Sequence, residues 1–344
     1  MGWPDGWFLI YPTTRIDFDG FIIYKIGMIR AEIKDRDLLS KINALPKDEM
    51  VVFVLCDGRA RGALFHGTRF VNQMRAQHNT GILETMILGQ ASLCGAMLLP
   101  TLKGREHLTW RYEVDGPAQG FSVETDSSGY VRSYLFNDHI PVEKPLEDWN
   151  LSPFLGTGTM TVSTLFEGDK TPYTSSISIN KKNIAEDLVD FFDQSVQIKT
   201  AFNTGIQMDK EGRVIGAGGL FLQVMPGTGG TKGKGLFSEK NLSDDMLIEK
   251  LEIAFKTTPS LGTWFSEGHT NEDLVYGLFR EFGPSIAVRR NVFYDCPCSK
   301  ELYLNHIRNL PKQELEDIKK NGPDPLEICC RNCNSVYHIP VSEI

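Results

Sequence analysis

The sequence predicts an α+β fold: a large N-terminal antiparallel-sheet domain with packed helices, a helical linker, and a small C-terminal domain tied by cysteines. Three observations carry this. Long β-type runs separated by turn residues fill most of residues 50–225, with only a few helical periods among them. The stretch 226–235, PGTGGTKGKG, is the clearest break in composition. Five of the seven cysteines stand in the last fifty residues.

The whole chain sets broad limits. Its 344 residues suffice for one large and one small domain with a substantial core. At 41% hydrophobic and 23% charged, the composition excludes wholesale disorder. A net charge of −8 leaves no electrostatic footprint for nucleic acid. No stretch approaches the roughly 18 apolar residues of a membrane span, and the start Met1-Gly2-Trp3-Pro4-Asp5 lacks the basic opening of a secretory signal. Clustered cysteines, odd in number, argue against an extracellular disulfide framework. The expected location is cytoplasmic, with no membrane and no nucleic acid as partner.

Taken in order, residues 1–49 come first as an extension. Phe21–Tyr24 reads as a strand, and Leu38, Leu39, Ile42 and Leu45 have helical spacing before Pro46. The extension is either a genuine extra element or the product of a misplaced start, with Met28 and Met50 as the alternatives, and it is assigned no function.

The core domain, 50–225, opens with a buried-type strand at Val51–Leu55, a turn at Asp57-Gly58, and a second strand through Ala63-Leu64-Phe65. Phe70, Val71, Met74 and His78 repeat as one helical face. His78 reads as a satisfied edge residue, because no cysteine or acid stands at ligand spacing from it. The next helix, Ile82 to Leu98, is apolar on more than one side and so belongs to the centre of the core. Cys94 within it, and Cys56 at a strand end, read as inert packing. Leu108–Val114, Gly120–Thr125 and Tyr130–Leu135 make an antiparallel meander with turns at Asp115-Gly116-Pro117 and Ser127-Ser128-Gly129. A hairpin follows at Gly158–Leu165 and Tyr173–Ile179, then a helix from Ala185 to Val196. Strands Thr200–Met208 and Arg213–Met225 close the domain.

Residues 226–293 form the expected hinge and linker. The glycine-rich loop resembles a phosphate-binding loop, but Gly233-Lys234 leads to Gly235 where Ser or Thr is needed, so it reads as flexible linker. Met246, Leu247, Leu251 and Ala254 share a helical face behind a Ser243 or Asp244 cap. A second helix starts at Thr270 or Asn271 and runs through Leu274, Leu278 and Phe282 to the Gly283-Pro284 stop, while Thr257–Gly268 breaks the pattern. Such short helices have little stability of their own.

Residues 294–344 hold the chemistry. Cys296-Pro297-Cys298 is followed, after 31 residues, by Cys330-Arg331-Asn332-Cys333, with Cys329 alongside. Two close pairs closing one loop present four thiolates to a tetrahedral zinc, so Cys296, Cys298, Cys330 and Cys333 are the expected ligands of one Zn2+ per chain. The first pair is C-x-C, tighter than the usual C-x-x-C. Cys329 could replace Cys330 through a C-x-x-x-C pair with Cys333, although C-x-x-C is the tighter knuckle; His306 and His338 are conceivable ligands that a four-cysteine site does not need. Between the pairs, Leu302, Ile307 and Leu310 suit one short helix, and Pro311 to the Asn321-Gly322 stop suits another. An Ile328 strand, the knuckle and a Val336–Ile339 strand complete a module too small to be held by its core alone. Six Lys/Arg face eight acids from Tyr294 onward, which is the wrong sign for a DNA-binding zinc module.

This cysteine pattern, ending in Asn334-Ser335-Val336-Tyr337-His338-Ile339, resembles the C-terminal switch of the 33 kDa chaperonin family, the redox-regulated heat-shock holdases. Asp115-Gly116-Pro117 after a strand, Ile206-Gln207-Met208-Asp209 before Gly212, and Gly218-Gly219-Leu220-Phe221-Leu222-Gln223 leading to Pro226-Gly227 resemble signatures of that family's N-terminal domain, in the same order. The likeness covers about Val51 to Ile344. It implies an ATP-independent holdase that binds unfolding client proteins under oxidative and heat stress. In the reduced form it would be zinc-bound and silent. Redox disulfides Cys296–Cys298 and Cys330–Cys333 would then release the zinc, the linker of 226–293 would act as a metastable sensor, and the active form would be a homodimer. A ring spanning Cys296 and Cys298 is very small and strained, hence easily reduced again. Cys329 could form a mispaired disulfide.

Two other classes compete. One is a zinc-stabilised binding module for nucleic acid or a regulatory partner, which for nucleic acid would need a basic face. The other is an enzyme, a thiol oxidoreductase or hydrolase, but the chain has no G-x-S-x-G, no H-E-x-x-H and no thioredoxin-like C-x-x-C, so no catalytic residues are assigned.

Overall fold

Two sheets and the helices between and beside them account for most of the chain in the computed structural model, which describes residues 27–142, 148–225 and 243–344. The strand expected at Phe21–Tyr24 and the glycine-rich loop 226–235 lie outside the described residues. The chain divides into two units. The larger comprises Ala31–Asp295 with Arg331–Cys333. The smaller comprises the described residues up to Arg30 with Cys296–Cys330 and Asn334–Ile344.

The larger unit begins with helix α1 (Arg36–Ala44), capped by Asp35, whose Oδ1 accepts from Leu38 N at 2.9 Å. Strand β1 (Glu49–Leu55), strand β2 (Ala60–His66) and helices α2 (Thr68–His78) and α3 (Ile82–Met97) follow, as their periodicities require. The meander is β3 (His107–Val114), β4 (Gly120–Asp126) and β5 (Tyr130–Leu135). A single turn of helix, α4 (Ser152–Leu155), precedes the hairpin β6 (Gly158–Leu165) and β7 (Tyr173–Ile179). Helix α5 (Ile184–Phe191) is shorter than the expected Ala185–Val196, because its last turn widens to a π-type turn over Phe192–Val196. Strands β8 (Thr200–Met208) and β9 (Val214–Val224) are the long final hairpin. Then come α6 (Asp244–Lys256), α7 (Leu261–Ser266), α8 (Asn271–Leu278), β10 (Ser285–Arg290) and β11 (Phe293–Tyr294).

One sheet runs β10-β1-β2-β9-β8, all antiparallel. The other runs β11-β5-β4-β3-β6-β7, antiparallel except where β11 lies parallel to β5. Strand β10 corrects the purely helical reading of this part of the chain, since Ser285–Arg290 pairs with β1 from Met50↔Arg290 to Val54↔Ser285. Its side chains are mostly exposed, which suits an edge strand and hides it from patterns of burial.

Strand alternation assigns each face of the first sheet. Met50, Ala63, Phe65 and Phe221 point to one apolar cluster, shared with α2, α3 and the second sheet. Val51, Phe53, Leu55, Leu64, Leu220 and Leu222 point to a second cluster, completed by Leu247 and Leu251 of α6, Leu261 and Phe265 of α7, and Leu274 and Val275 of α8. Helix α3 lies at the heart of the first cluster. It corrects one expectation: Ile82–Thr101 is long and apolar enough to cross a membrane, because Glu84 is its one charge and Gly, Ser, Thr and Gln interrupt the apolar residues without making the stretch polar. Since 89% of it is buried inside the protein, it is a core helix.

Helix α7 is the second correction, lying within the stretch Thr257–Gly268 that reads as a break. Ser260 caps it, its Oγ accepting from Thr263 N. It rests on bare backbone. A β-carbon at Gly205 would come within 2.7 Å of Gly262 N, one at Gly216 within 2.6 Å of Ser266 N, and one at Gly262 within 2.5 Å of Gln207 N. Only glycines on both partners allow this approach.

Phe265 of α7 stacks on His66 at the end of β2, with ring centroids 4.4 Å apart and planes 8° from parallel. His66 is buried, and its Nε2 lies 2.9 Å from Thr68 Oγ1. Burial first, and the Arg69 charge second, hold its pKa down at about 4. The unfolded chain therefore takes up this proton near pH 6.5 and the folded chain only near 4. Stability is full above pH 6.5 and falls as the pH drops toward 4, by about 2 kcal/mol at pH 5. Unfolding free energies from urea titrations at pH 7 and pH 5 should differ by that much more in the wild type than in His66→Gln; equal differences would refute the assignment.

Candidate metal centre

The cysteine module follows β11. Its helices are α9 (Lys300–Arg308) and α10 (Lys312–Asn321), and its hairpin is β12 (Leu326–Cys329) with β13 (Val336–Ile339), paired from Leu326↔Ile339 to Cys329↔Val336. The first cysteine pair is irregular backbone ahead of Ser299, whose Oγ caps α9 by accepting from Leu302 N at 3.1 Å. Pro311 caps α10 from just outside rather than entering its first turn. The second pair sits in the turn of the hairpin. Cys330 N donates to Ser335 O at 2.9 Å, Asn334 N donates to Cys330 O at 2.6 Å, and Asn334 takes the left-handed conformation that asparagine tolerates.

These turns bring Cys296, Cys298, Cys330 and Cys333 together: their four sulfurs lie within 4.8 Å of one another and all four residues are buried. Cys296 Sγ and Cys330 Sγ are 3.8 Å apart. Four sulfurs at about 2.3 Å from a tetrahedral zinc would be about 3.8 Å apart, so the spacing fits. Among the described residues no carboxylate or imidazole joins the group, and an all-sulfur donor set suits zinc over harder cations.

Two tyrosines frame the sulfurs. The Tyr337 hydroxyl lies 3.2 Å from Cys298 Sγ and 3.0 Å from Cys298 O, and its ring packs 5.5 Å from that of Tyr303. Burial, and then the neighbouring Cys330 sulfur, push the Tyr303 phenol well up, so it stays a neutral donor beside the thiols. Neither tyrosine was expected at the site from sequence. The inward alternation of Tyr337 and Ile339 along β13 is the one signal that points to Tyr337.

The remaining candidates fall elsewhere. Cys329 is exposed outside the group, its Sγ 3.1 Å from Asn334 Oδ1, and its pKa is raised by burial and then by Cys330 and Glu327. His338 is exposed, 4.0 Å from Glu327, and His306 does not join the sulfurs. His78 is satisfied by the Tyr294 hydroxyl at 2.8 Å. Cys56 and Cys94 are buried free thiols within the apolar clusters.

The family model for Hsp33 protein matches residues 48–340. The chain belongs to the Hsp33 family. Among its relatives, the 33 kDa chaperonin of Limosilactobacillus fermentum is 27% identical over 304 residues, covering 87% of this chain and 97% of the relative. The 33 kDa chaperonin of Agathobacter rectalis is 28% identical over 300 residues, covering 86% and 98%. The crystal structure of the 33 kDa chaperonin (heat shock protein 33 homolog) of Thermotoga maritima superposes with a TM-score of 0.71 at 27% identity, over 86% of this chain and 96% of that one. The chain is thus a chaperone of this family, α+β in fold, with a C-terminal cysteine cluster suited to zinc and to disulfide formation.

Proposed function

We propose that the chain is an ATP-independent holdase switched by oxidation of its cysteine module, and that the four buried, convergent sulfurs carry this reading. In the reduced form Cys296, Cys298, Cys330 and Cys333 hold one zinc, which when bound keeps the sulfurs ionised and ties the two limbs of a module with almost no core. Peroxide oxidises each neighbouring pair, Cys296 with Cys298 and Cys330 with Cys333, the pairing that family likeness implies. Each pair of thiolates gives up two electrons and gains an S–S bond, while one peroxide accepts those electrons with two protons from solvent and becomes two waters. No thiolate then remains to bind the metal, and the module loosens.

The domain limits we adopt are 1–49 extension, 50–225 chaperone core, 226–293 hinge and linker, and 294–344 redox switch. In the linker, α6, α7 and α8 cover the row Val51, Phe53, Leu55, Leu64, Leu220 and Leu222 on the first sheet. Helices this short hold by docking alone, so heat after oxidation lifts them and bares an apolar face that captures unfolding clients. The oxidised form works as a homodimer in the cytoplasm, without nucleic acid, membrane or catalytic turnover.

Peroxide treatment at mildly raised temperature should release one zinc per chain and create suppression of client aggregation, read by a zinc indicator and by light scattering. Zinc release without suppression would turn the reading toward a zinc-stabilised binding module. Turnover of thiol substrates would turn it toward an oxidoreductase.

A further inference from the structure

The described residues Gly27–Arg30 stand ahead of the family match, yet they are bonded to both limbs of the cysteine module. Met28 N donates to Cys296 O at 3.1 Å, on the first limb. Ile29 N donates to Ser335 Oγ at 3.0 Å, and Ser335 Oγ lies 3.3 Å from Ile29 O, on the second limb. The Tyr337 hydroxyl, already against Cys298, is 3.2 Å from Gly27 O. Met28, Ser335 and Tyr337 are each less than a tenth exposed while Ile29 is about half exposed, so these bonds are partly sheltered from water. The residues that follow are separately anchored in the larger unit. Ala31 N donates to Gln77 Oε1 at 3.0 Å, and Lys41 Nζ meets Asp209 Oδ2 at 3.1 Å. A segment fixed at one end loses little freedom on docking the other.

We propose that Gly27–Arg30 is a strap that ties the two cysteine limbs together independently of the metal. The inference rests on reading the module as a switch and adds a second condition to it. Loss of the sulfur ties leaves the limbs joined through Met28 and Ile29, and they separate only when these bonds also break. The strap thus raises the threshold at which an oxidised or metal-free module opens, which delays activation until heat is added to oxidant. It also gives the segment before residue 48 a task that the matched part of the chain lacks.

The test is hydrogen exchange of residues 296–344 in the full chain, zinc-loaded and then zinc-free under reducing conditions. Met28→Pro removes the amide that bonds Cys296, and Ser335→Ala removes the hydroxyl that bonds Ile29. Zinc-loaded, both variants should exchange like the wild type. Zinc-free, each should exchange roughly three- to tenfold faster than the zinc-free wild type, as expected for one lost part-buried hydrogen bond. Should Met28→Pro disturb folding elsewhere, a chain starting at Ala31 gives the same comparison, with its core checked by exchange of β1 and β2. Equal exchange in all zinc-free forms, including a wild-type module already open, overturns the strap. Absence of client protection in oxidised wild type would sink the holdase reading and leave the exchange result standing, so the two failures are distinguishable.

Discussion

Cys333→Ser is expected to take zinc stoichiometry from one per chain to nearly none and to leave a C-terminal module that opens on mild heating. Cys333 is fully buried among the other three sulfurs, and a serine hydroxyl there is a neutral, poor donor for zinc. Structural zinc contributes on the order of 10–16 kcal/mol to modules of this kind, far more than the few buried side chains here can replace. On mild heating, far-ultraviolet circular dichroism should show loss of α9 and α10, and client protection should then appear without oxidant. The other thiols are the controls. Burial pushes Cys56 up to about 11 and Cys94 up to about 12, so both remain protonated and inert, and Cys329 lies outside the cluster. Their replacement should leave zinc binding and peroxide response in place. Full zinc binding by Cys333→Ser would end the four-sulfur assignment.

Gly216→Val should open the protein by a different route, with its metal still bound. The new side chain would run into the Gly262 carbonyl and come within 2.6 Å of Ser266 N, and these are backbone atoms that cannot rotate aside. Helix α7 must lift, and with it Leu261 and Phe265 leave the second apolar cluster. Burial of two such side chains contributes roughly 3–6 kcal/mol, more than a short helix can forgo. The variant should therefore bind an apolar dye and suppress client aggregation while reduced and carrying one zinc. Gly277→Ala supplies the opposite sign. That position in α8 has open space around it, and alanine there favours the helix by about 1 kcal/mol, so activation should need more heat. A reduced Gly216→Val protein that stays inert toward client and dye would show that the covered sheet face is not the capturing surface.

The sheets were legible because alternation and turns are local properties. Val51, Phe53 and Leu55 on one side of β1, against Met50 and Val52 on the other, follow from period two alone. The cysteine module was legible because its strands, helices and cysteine spacing fall within fifty residues. What escaped depends on partners distant in sequence. Helix α7 offers only Leu261 and Phe265, one turn apart, and its Gly262 reads as a breaker until the glycines of β8 and β9 are placed beneath it. Edge strand β10 has little buried surface to mark it. Tyr303 joins the sulfurs only through the packing of α9 on β13, and the bonds from Met28 and Ile29 span more than 260 residues of chain.

The two apolar clusters share the first sheet but no side chain, since each strand gives its odd and even residues to opposite sides. Stripping the outer layer of helices therefore leaves α3 and its surroundings untouched. On the proposed switch, the protein would turn adhesive without melting, and the intact sheet would remain as a template on which the same helices settle again when reductant returns. Reversibility of that switch would then follow from the layering itself, and repeated cycles of oxidation and repair should cost the molecule none of its interior.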